Sequence, residues 1–460
     1  MRPNVLLIVF DTARADAFEP YGAPPGSTPV AADLARRGGA VPMAISAANW
    51  TMPSHAAMFT GRLPRALGLS KPLVGRTLLN PRKILEANAD RLLAEVLRRN
   101  GYATAGVSAN PWISRSSAFS TGFEHWADVR GQIPRSRSRR DRMKQYLRAI
   151  RGRADQGASE AVRLLRARLR AGDRRPFFWF VNLMECHSPY VPPRPFTHRS
   201  VFGRLRAADD AMRHGDAVTM ARYSMGNLDI SETILARLRW LYGQAVSMVD
   251  HTVGLMLEDL EAAGVLDDTA VILTADHGEN LGEQHLLGHT RSMDQRLIHV
   301  PLIMAGPLDP PETALFSQPD LPALLADRLE LEATPWTGAC PPGTAVSQSD
   351  LNSLWNEEQV DHLARVWSVP REVILEAGPY AAILDGRFKL ARTGEAEALF
   401  DLDADPGETR DVGAMHPQRA QELRGLLDEV QADQGVEGRA GYTSAEEAEM
   451  RDHLEALGYL

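Results

Sequence analysis

The sequence predicts an α/β fold, a large mixed but mostly parallel sheet sandwiched by helices, followed by a smaller C-terminal antiparallel sheet plus helix. Three observations carry this. Residues 5–10, Val5-Leu6-Leu7-Ile8-Val9-Phe10, are continuously apolar and rich in β-formers, as a strand buried on both faces of a parallel sheet must be. Strand-like runs then alternate with helical periods down to about residue 340, the rhythm of βαβ units. Beyond 341 the texture changes to short strands separated by Asp385-Gly386 and Thr393-Gly394 turns.

Taken in order, Asp11 stands at the carboxyl end of the first strand. Residues 92–99 have helical spacing and close on Asn100-Gly101, and 104–108 reads as the next strand. Residues 177–183 predict a third strand, 234–262 a long amphipathic helix capped at Gly264, and 270–274 a further strand with Asp276-His277-Gly278 just beyond it. Residues 300–304 read as one more buried strand. The C-terminal sheet is expected from 380–384, 387–391 and 398–402, and its helix from 417–431. The expected division is an α/β body over 1–340 and a smaller α+β unit over 341–460. A basic helical stretch over about 130–175, with Arg135, Arg137, Arg139, Arg140, Arg148, Arg151, Arg163, Arg166, Arg168 and Arg170, interrupts the body. It reads first as a solvated surface helix pair, and alternatively as a lid or funnel for an anionic substrate.

Composition narrows the function classes. A chain of 460 residues that is 44% hydrophobic can bury a large core, and a formal net charge of −8 speaks against a nucleic-acid binder. Two cysteines, Cys186 and Cys340, allow one bridge at most and point to a reducing compartment. The first apolar run is too short for the core of a signal peptide, and no stretch reaches the ~20 apolar residues that span a bilayer. The expectation is therefore a cytoplasmic protein with no integral membrane segment. Its expected partner is a small anionic ester, and homo-oligomerisation is left open.

Three distant segments offer hard ligands: Asp11-Thr12, Thr51 and Asp276-His277. Two of them lie just past strand ends, where parallel sheets place ligands. Singly, each also reads as a turn or N-cap residue. Together, two carboxylates, an imidazole and a hydroxyl suit a divalent cation such as zinc, manganese or calcium. Such an ion makes a threonine hydroxyl a competent nucleophile at neutral pH. The expected metal set is Asp11, Thr51, Asp276 and His277, one ion per site with a second possible.

The segments around these residues resemble those of a known family. Arg2-Pro3-Asn4-Val5 through Asp11-Thr12-Ala13-Arg14-Ala15-Asp16, Asn49-Trp50-Thr51-Met52-Pro53-Ser54-His55, Met184-Glu185-Cys186-His187-Ser188-Pro189-Tyr190 and Thr274-Ala275-Asp276-His277-Gly278-Glu279 occur in that order. Gly288-His289, His299-Val300-Pro301-Leu302, Leu399-Phe400-Asp401-Leu402, Asp405-Pro406-Gly407-Glu408 and Leu457-Gly458-Tyr459 follow. The series resembles the sulfatases and their phosphatase relatives in the alkaline phosphatase superfamily. The departures matter. Where the resemblance implies a Cys or Ser that becomes formylglycine, this chain has Thr51, whose β-methyl would give a ketone, so no formylglycine is expected. His55 stands where an arginine belongs. Thr12 replaces a second aspartate, which disfavours calcium relative to zinc or manganese.

Threonine at this place resembles the superfamily's phosphodiesterases and its phosphoethanolamine and phosphoglycerol transferases. The implied activity is hydrolysis or transfer of phosphate or phosphonate esters, diesters first, through a Thr51 alkoxide and a covalent phospho-threonine. The alternatives are a sulfuric ester hydrolase and a non-catalytic anion-binding member. His187 and His289 are candidates for contacting the ester oxygens or for acid catalysis. Arg14, His55, Asn110 and Lys389 are candidates for substrate binding. His285, His289 and Asp250 offer parts of a second metal site, and Glu279 and Asp294 are expected to steady His277 or His289.

Overall fold

The structure, a computed structural model, describes residues 2–69, 81–129, 143, 147–148, 150–152, 155–289, 291–349, 357–375 and 378–433. Arg135, Arg137, Arg139 and Arg140 of the basic stretch, and the closing Leu457-Gly458-Tyr459, lie outside the described residues.

The main sheet contains β1 (Asn4–Phe10), β2 (Gly39–Ala40), β3 (Ala103–Ser108), β4 (His125–Asp128), β5 (Phe177–Leu183), β6 (Thr269–Ala275) and β7 (Leu302–Ala305), in the spatial order β2-β7-β6-β1-β5-β3-β4. β1 is central because its apolar run is buried along nearly its whole length, and its neighbours β5 and β6 are buried throughout. Both run parallel to it, with Phe10 in register with Leu183 on one side and Ala275 on the other. The β6–β1–β5–β3–β4 pairs are all parallel, whereas β7 and β2 are added antiparallel. Helices cover the sheet. The longest, Glu232–Ala262, buries Leu238, Leu241, Ala245, Val249, Val253, Met256 and Leu260 at three- and four-residue intervals, so one stripe faces the core. It ends near Gly264, whose φ of 69° suits glycine.

The single strand expected over 300–304 is two. His299–Val300 pairs with Met43–Ile45 in a separate three-stranded sheet, and β7 pairs with β6. Pro301 stands between them, and without an N–H it cannot continue a ladder, so the chain changes sheets there. Cys186 and Cys340 are both free thiols, so the one bridge they allowed is not formed. Within the basic stretch, helix Ala158–Arg170 packs on the long helix, where Arg166 pairs with Asp259 at 2.7 Å and Arg163 pairs with Glu160 on its own helix. These arginines serve surface helix packing.

The C-terminal sheet is antiparallel: β8 (Ala345–Ser349), β9 (Tyr380–Leu384), β10 (Phe388–Thr393) and β11 (Ala396–Asp401) in that spatial order. Helix Pro417–Ala432 lays Ala420, Leu423 and Leu427 against Ile383, Leu390 and Leu399. Among the described residues no helix is long and apolar enough to cross a membrane.

Candidate active site

The registers of β1, β5 and β6 bring the key residues to one place. Asp11 follows Phe10 and Asp276 follows Ala275, so the two carboxylates emerge side by side from adjacent parallel strands. His277 comes with Asp276, and one ligand atom each from Asp11, Asp276 and His277 lie within 4.8 Å of one another. All three are fully buried.

Asp276 is oriented by the backbone: its Oδ1 accepts from the N–H of Thr12 at 3.0 Å and of His277 at 2.9 Å. Its Oδ2 is buried with no hydrogen-bond partner among the described residues. Burial, and then the adjacent Asp11, push the Asp276 carboxyl well above the carboxylate range. Two adjacent buried carboxylates cost free energy unless a proton or a cation lies between them, and with the His277 imidazole beside them the donor set fits a divalent ion. Thr12 reaches its position at φ 61°, a strained angle for a β-branched residue. Tyr242 of the long helix secures it, donating its hydroxyl to the Thr12 carbonyl at 2.8 Å and accepting from the Arg14 N–H at 2.9 Å.

Thr51 is the first residue of helix Thr51–Thr60, all of which is buried. The helix start is the positive end of its dipole, which favours charge on an oxygen there. Thr51 Oγ lies 3.3 Å from His277 Nε2 and accepts from Asn110 Nδ2 at 3.5 Å. The same Nδ2 donates to Asp11 Oδ2 at 2.5 Å, while Asn110 Oδ1 accepts from the Trp112 N–H at 2.8 Å. His277 Nδ1 faces the Gly278 carbonyl at 2.9 Å, so Nδ1 carries the proton and Nε2 turns its lone pair to Thr51. Burial and the nearby His289 hold His277 well below the usual imidazole range. His289 Nδ1 likewise donates to Glu279 Oε1 at 2.9 Å, and Tyr190 donates to the other Glu279 oxygen at 2.8 Å. The rings of His289 and His277 are 4.6 Å apart, and those of His289 and His187 5.4 Å. Three imidazoles, a hydroxyl and two carboxylates thus converge.

Residues 3–329 match the family model described as Sulfatase. The chain belongs to the sulfatase family. Among curated proteins it is similar to the choline-sulfatase of Rhizobium meliloti, 30% identical over 273 residues, which is 56% of this chain and 49% of that protein. It is also similar to a multifunctional alkaline phosphatase superfamily protein of Trinickia caryophylli, 29% identical over 139 residues, 26% of this chain and 27% of that one. These matches span about half or less of the relatives' own lengths. Among solved structures, the phosphonate monoester hydrolase of Agrobacterium radiobacter superposes with a TM-score of 0.61, covering 94% of this chain and 96% of that one at 19% identity, a likeness of fold.

Within this sulfatase-family site several expected residues have other duties. Arg14 is taken by carboxylates, pairing with Asp16 at 2.5 Å and Glu283 at 2.7 Å. His55 is fully buried, its Nδ1 3.0 Å from the Thr51 carbonyl and 3.6 Å from Asp276 Oδ2, and its Nε2 3.4 Å from Asn182 Nδ2. Burial lowers it to about 4, so it sits neutral beneath the nucleophile. Lys389 is fully buried and bonds to Glu408 and the Met293 carbonyl. Asp250 is no metal ligand, because its oxygens accept from the Val30 and Ala31 N–H groups at the start of helix Pro29–Arg37. His285 packs on Tyr223, 4.2 Å between rings. Asp294 caps helix Gln295–Ile298 and pairs with Arg296, and Glu279 alone of the two steadies His289. Asn182, Tyr190 and Tyr242 were missed. Asn182 gave a signal, being polar near the carboxyl end of an otherwise apolar buried strand.

The turn that carries His187 holds a further titratable group. Glu185 Oε1 accepts from the N–H groups of Gln156 at 3.1 Å and Ala158 at 2.9 Å. Burial, then Asp155, raises its carboxyl to about 7. A carboxyl raised on folding contributes stability that is present below the unfolded value and lost as pH climbs through 7. Glu185→Gln removes that loss. Urea denaturation is expected to show it stabilising the protein by about 2 kcal/mol more at pH 8 than at pH 5; a pH-independent difference would refute the assignment.

Proposed function

We propose that this sulfatase-family protein is a metal-dependent hydrolase of singly charged phosphorus esters, phosphodiesters and phosphonate monoesters, with Thr51 Oγ as nucleophile. The observation that carries it is the buried Thr51 hydroxyl at a helix start, within reach of His277 Nε2 and Asn110 Nδ2 and beside two buried carboxylates. Asp11, Thr51, Asp276 and His277 would hold a zinc- or manganese-type ion, which lowers the pKa of a bound hydroxyl and offsets charge on the ester.

The chain's own groups do the rest. Asn110 orients Asp11 and Thr51 together, and His55 fixes the first helical turn from below. Thr51 Oγ attacks phosphorus in line, the leaving alcohol departs, and a phospho-threonine forms that water, or an acceptor alcohol in a transfer reaction, resolves. His187 and His289 flank the ester oxygens, their Nδ1 atoms held by the Ser188 carbonyl and Glu279. Charge favours the monoanionic class: Arg14 and Lys389, the cations expected to meet substrate charge, are both taken by carboxylates, which disfavours a dianionic monoester. A sulfuric ester is also singly charged, and the similarity to a choline-sulfatase keeps it as the second reading.

The test is turnover of p-nitrophenyl phosphodiester, phosphonate monoester, phosphate monoester and sulfate by metal-loaded protein. The diester and phosphonate are expected to exceed the phosphate monoester by at least about tenfold in kcat/KM, as one interaction difference of 1.4 kcal/mol would give. Sulfate turned over fastest would establish the second reading instead.

A further inference from the structure

The C-terminal sheet grips both loops that bear the proposed reacting groups. From β8, the Gln348 N–H donates to the Ala47 carbonyl at 2.8 Å, four residues before Thr51, and Ser347 Oγ donates to Met293 Sδ at 3.5 Å. From β10, the fully buried Lys389 ammonium donates to the Met293 carbonyl and to Glu408 Oε1, the latter at 2.7 Å. The turn holding Glu408 is itself bound to the body, since Arg296 donates to the Gly407 carbonyl at 3.0 Å and Gln284 at 2.9 Å. Met293 lies in the segment 291–294, close to His289 in sequence, and Asn49, two residues before Thr51, donates to the Ser292 carbonyl of that segment at 3.0 Å. One buried cation therefore links Glu408 to Met293, and Asn49 joins the same segment to the nucleophile segment.

We propose that Lys389 is a positioning residue for His289: its ammonium, fixed by Glu408, holds residues 291–294 at the Met293 carbonyl and so sets where the His289 ring stands against Thr51. A buried ammonium is costly unless it has a specific partner, and here one partner is a backbone carbonyl of the loop being placed. This rests on the role given to His289 in the proposed function, but not on whether the ester is of phosphorus or sulfur.

The experiment is a double-mutant cycle in the full chain with Lys389→Met and His289→Gln, read with whichever p-nitrophenyl ester the wild type turns over fastest. Lys389→Met is expected to lower kcat by on the order of 10²-fold with KM within about twofold, because a small displacement of a reacting group has that effect. In the His289→Gln background the same change should cost less than about threefold, since the two act through one group. Multiplicative losses, or a rise in KM alone, would overturn the proposal, the latter by making Lys389 a substrate contact. Should Lys389→Met fail to fold, Glu408→Gln takes its place in the cycle with the same expected coupling. A second readout needs no turnover: the ring carbon-bound proton resonance of His289, assigned by its loss in His289→Gln, is expected to shift in the latch variant. An unmoved resonance would overturn the latch, whereas a shifted resonance without ester turnover would leave it standing and remove the proposed function.

Discussion

Thr51→Ala is expected to lower kcat by on the order of 10⁴-fold or more while leaving the melting temperature nearly unchanged. The loss is large because a nucleophile has no deputy in a site whose other groups are set to receive charge, and removal of such a residue elsewhere leaves only background catalysis. The fold should tolerate it, since the contacts of Thr51 Oγ to His277 and Asn110 are long, 3.3 Å and 3.5 Å, and alanine removes only the hydroxyl and one methyl group from the first turn of the helix. Thr51→Ser retains the hydroxyl and is expected to keep activity within about tenfold, its freer χ1 accounting for the deficit. Mass spectrometry of acid-quenched protein should find the transferred group on Thr51 in the wild type and none in the alanine variant. Alanine that keeps more than a tenth of wild-type turnover would remove Thr51 from the reaction.

The second large effect is metal removal. Dialysis against a chelator is expected to abolish turnover by on the order of 10³-fold, with recovery on adding zinc or manganese. It should also lower stability, because Asp11 and Asp276 are then two buried carboxylates with no ion to share. The sign for pH follows from Asp276, whose folded carboxyl is raised above its unfolded value by burial and by Asp11. In the metal-free protein its contribution is present in acid and is lost as pH rises above the unfolded aspartate value of about 4, so the chelated protein should be destabilised progressively with rising pH. Asp276→Asn removes the charge. It should make the metal-free protein more stable than the wild type at pH 8, and its melting temperature insensitive to added metal. A wild type whose melting temperature ignores both chelator and zinc would exclude the ion from this site.

Much of this organisation was legible in the sequence, for reasons that differ by element. β1, β5 and β6 showed themselves because strands buried on both faces need uninterrupted apolar runs, and Asp11 and Asp276 stood out as charges placed just past such runs. The strand break at Pro301 was masked because Val300 and Leu302 to Met304 are all apolar, and periodicity reports burial rather than which N–H is missing. Asp250 and Asp294 were misjudged because a carboxylate that caps a helix and one that binds a cation are the same residue type, and only the partner tells them apart. The pairings of Arg14 with Glu283 and of Lys389 with Glu408 were not legible, because they depend on loops folding back. His55 read as a substrate-binding candidate because the sequence does not show that helix Thr51–Thr60 is buried throughout.

One consequence lies in the alignment of Phe10 with Ala275. Asp11 and Asp276 each stand one residue past this paired rung, so the gap between their backbones is the interstrand spacing, about 4.8 Å, a length common to all sheets. The jaw of the candidate metal centre is thus cut to a universal gauge, and it cannot be widened by repacking side chains beneath it. Changes to the core should alter how long the protein survives without altering which ion it grips, while discrimination between ions is left to His277, next to Asp276, and to Thr51, which a separate helix brings in.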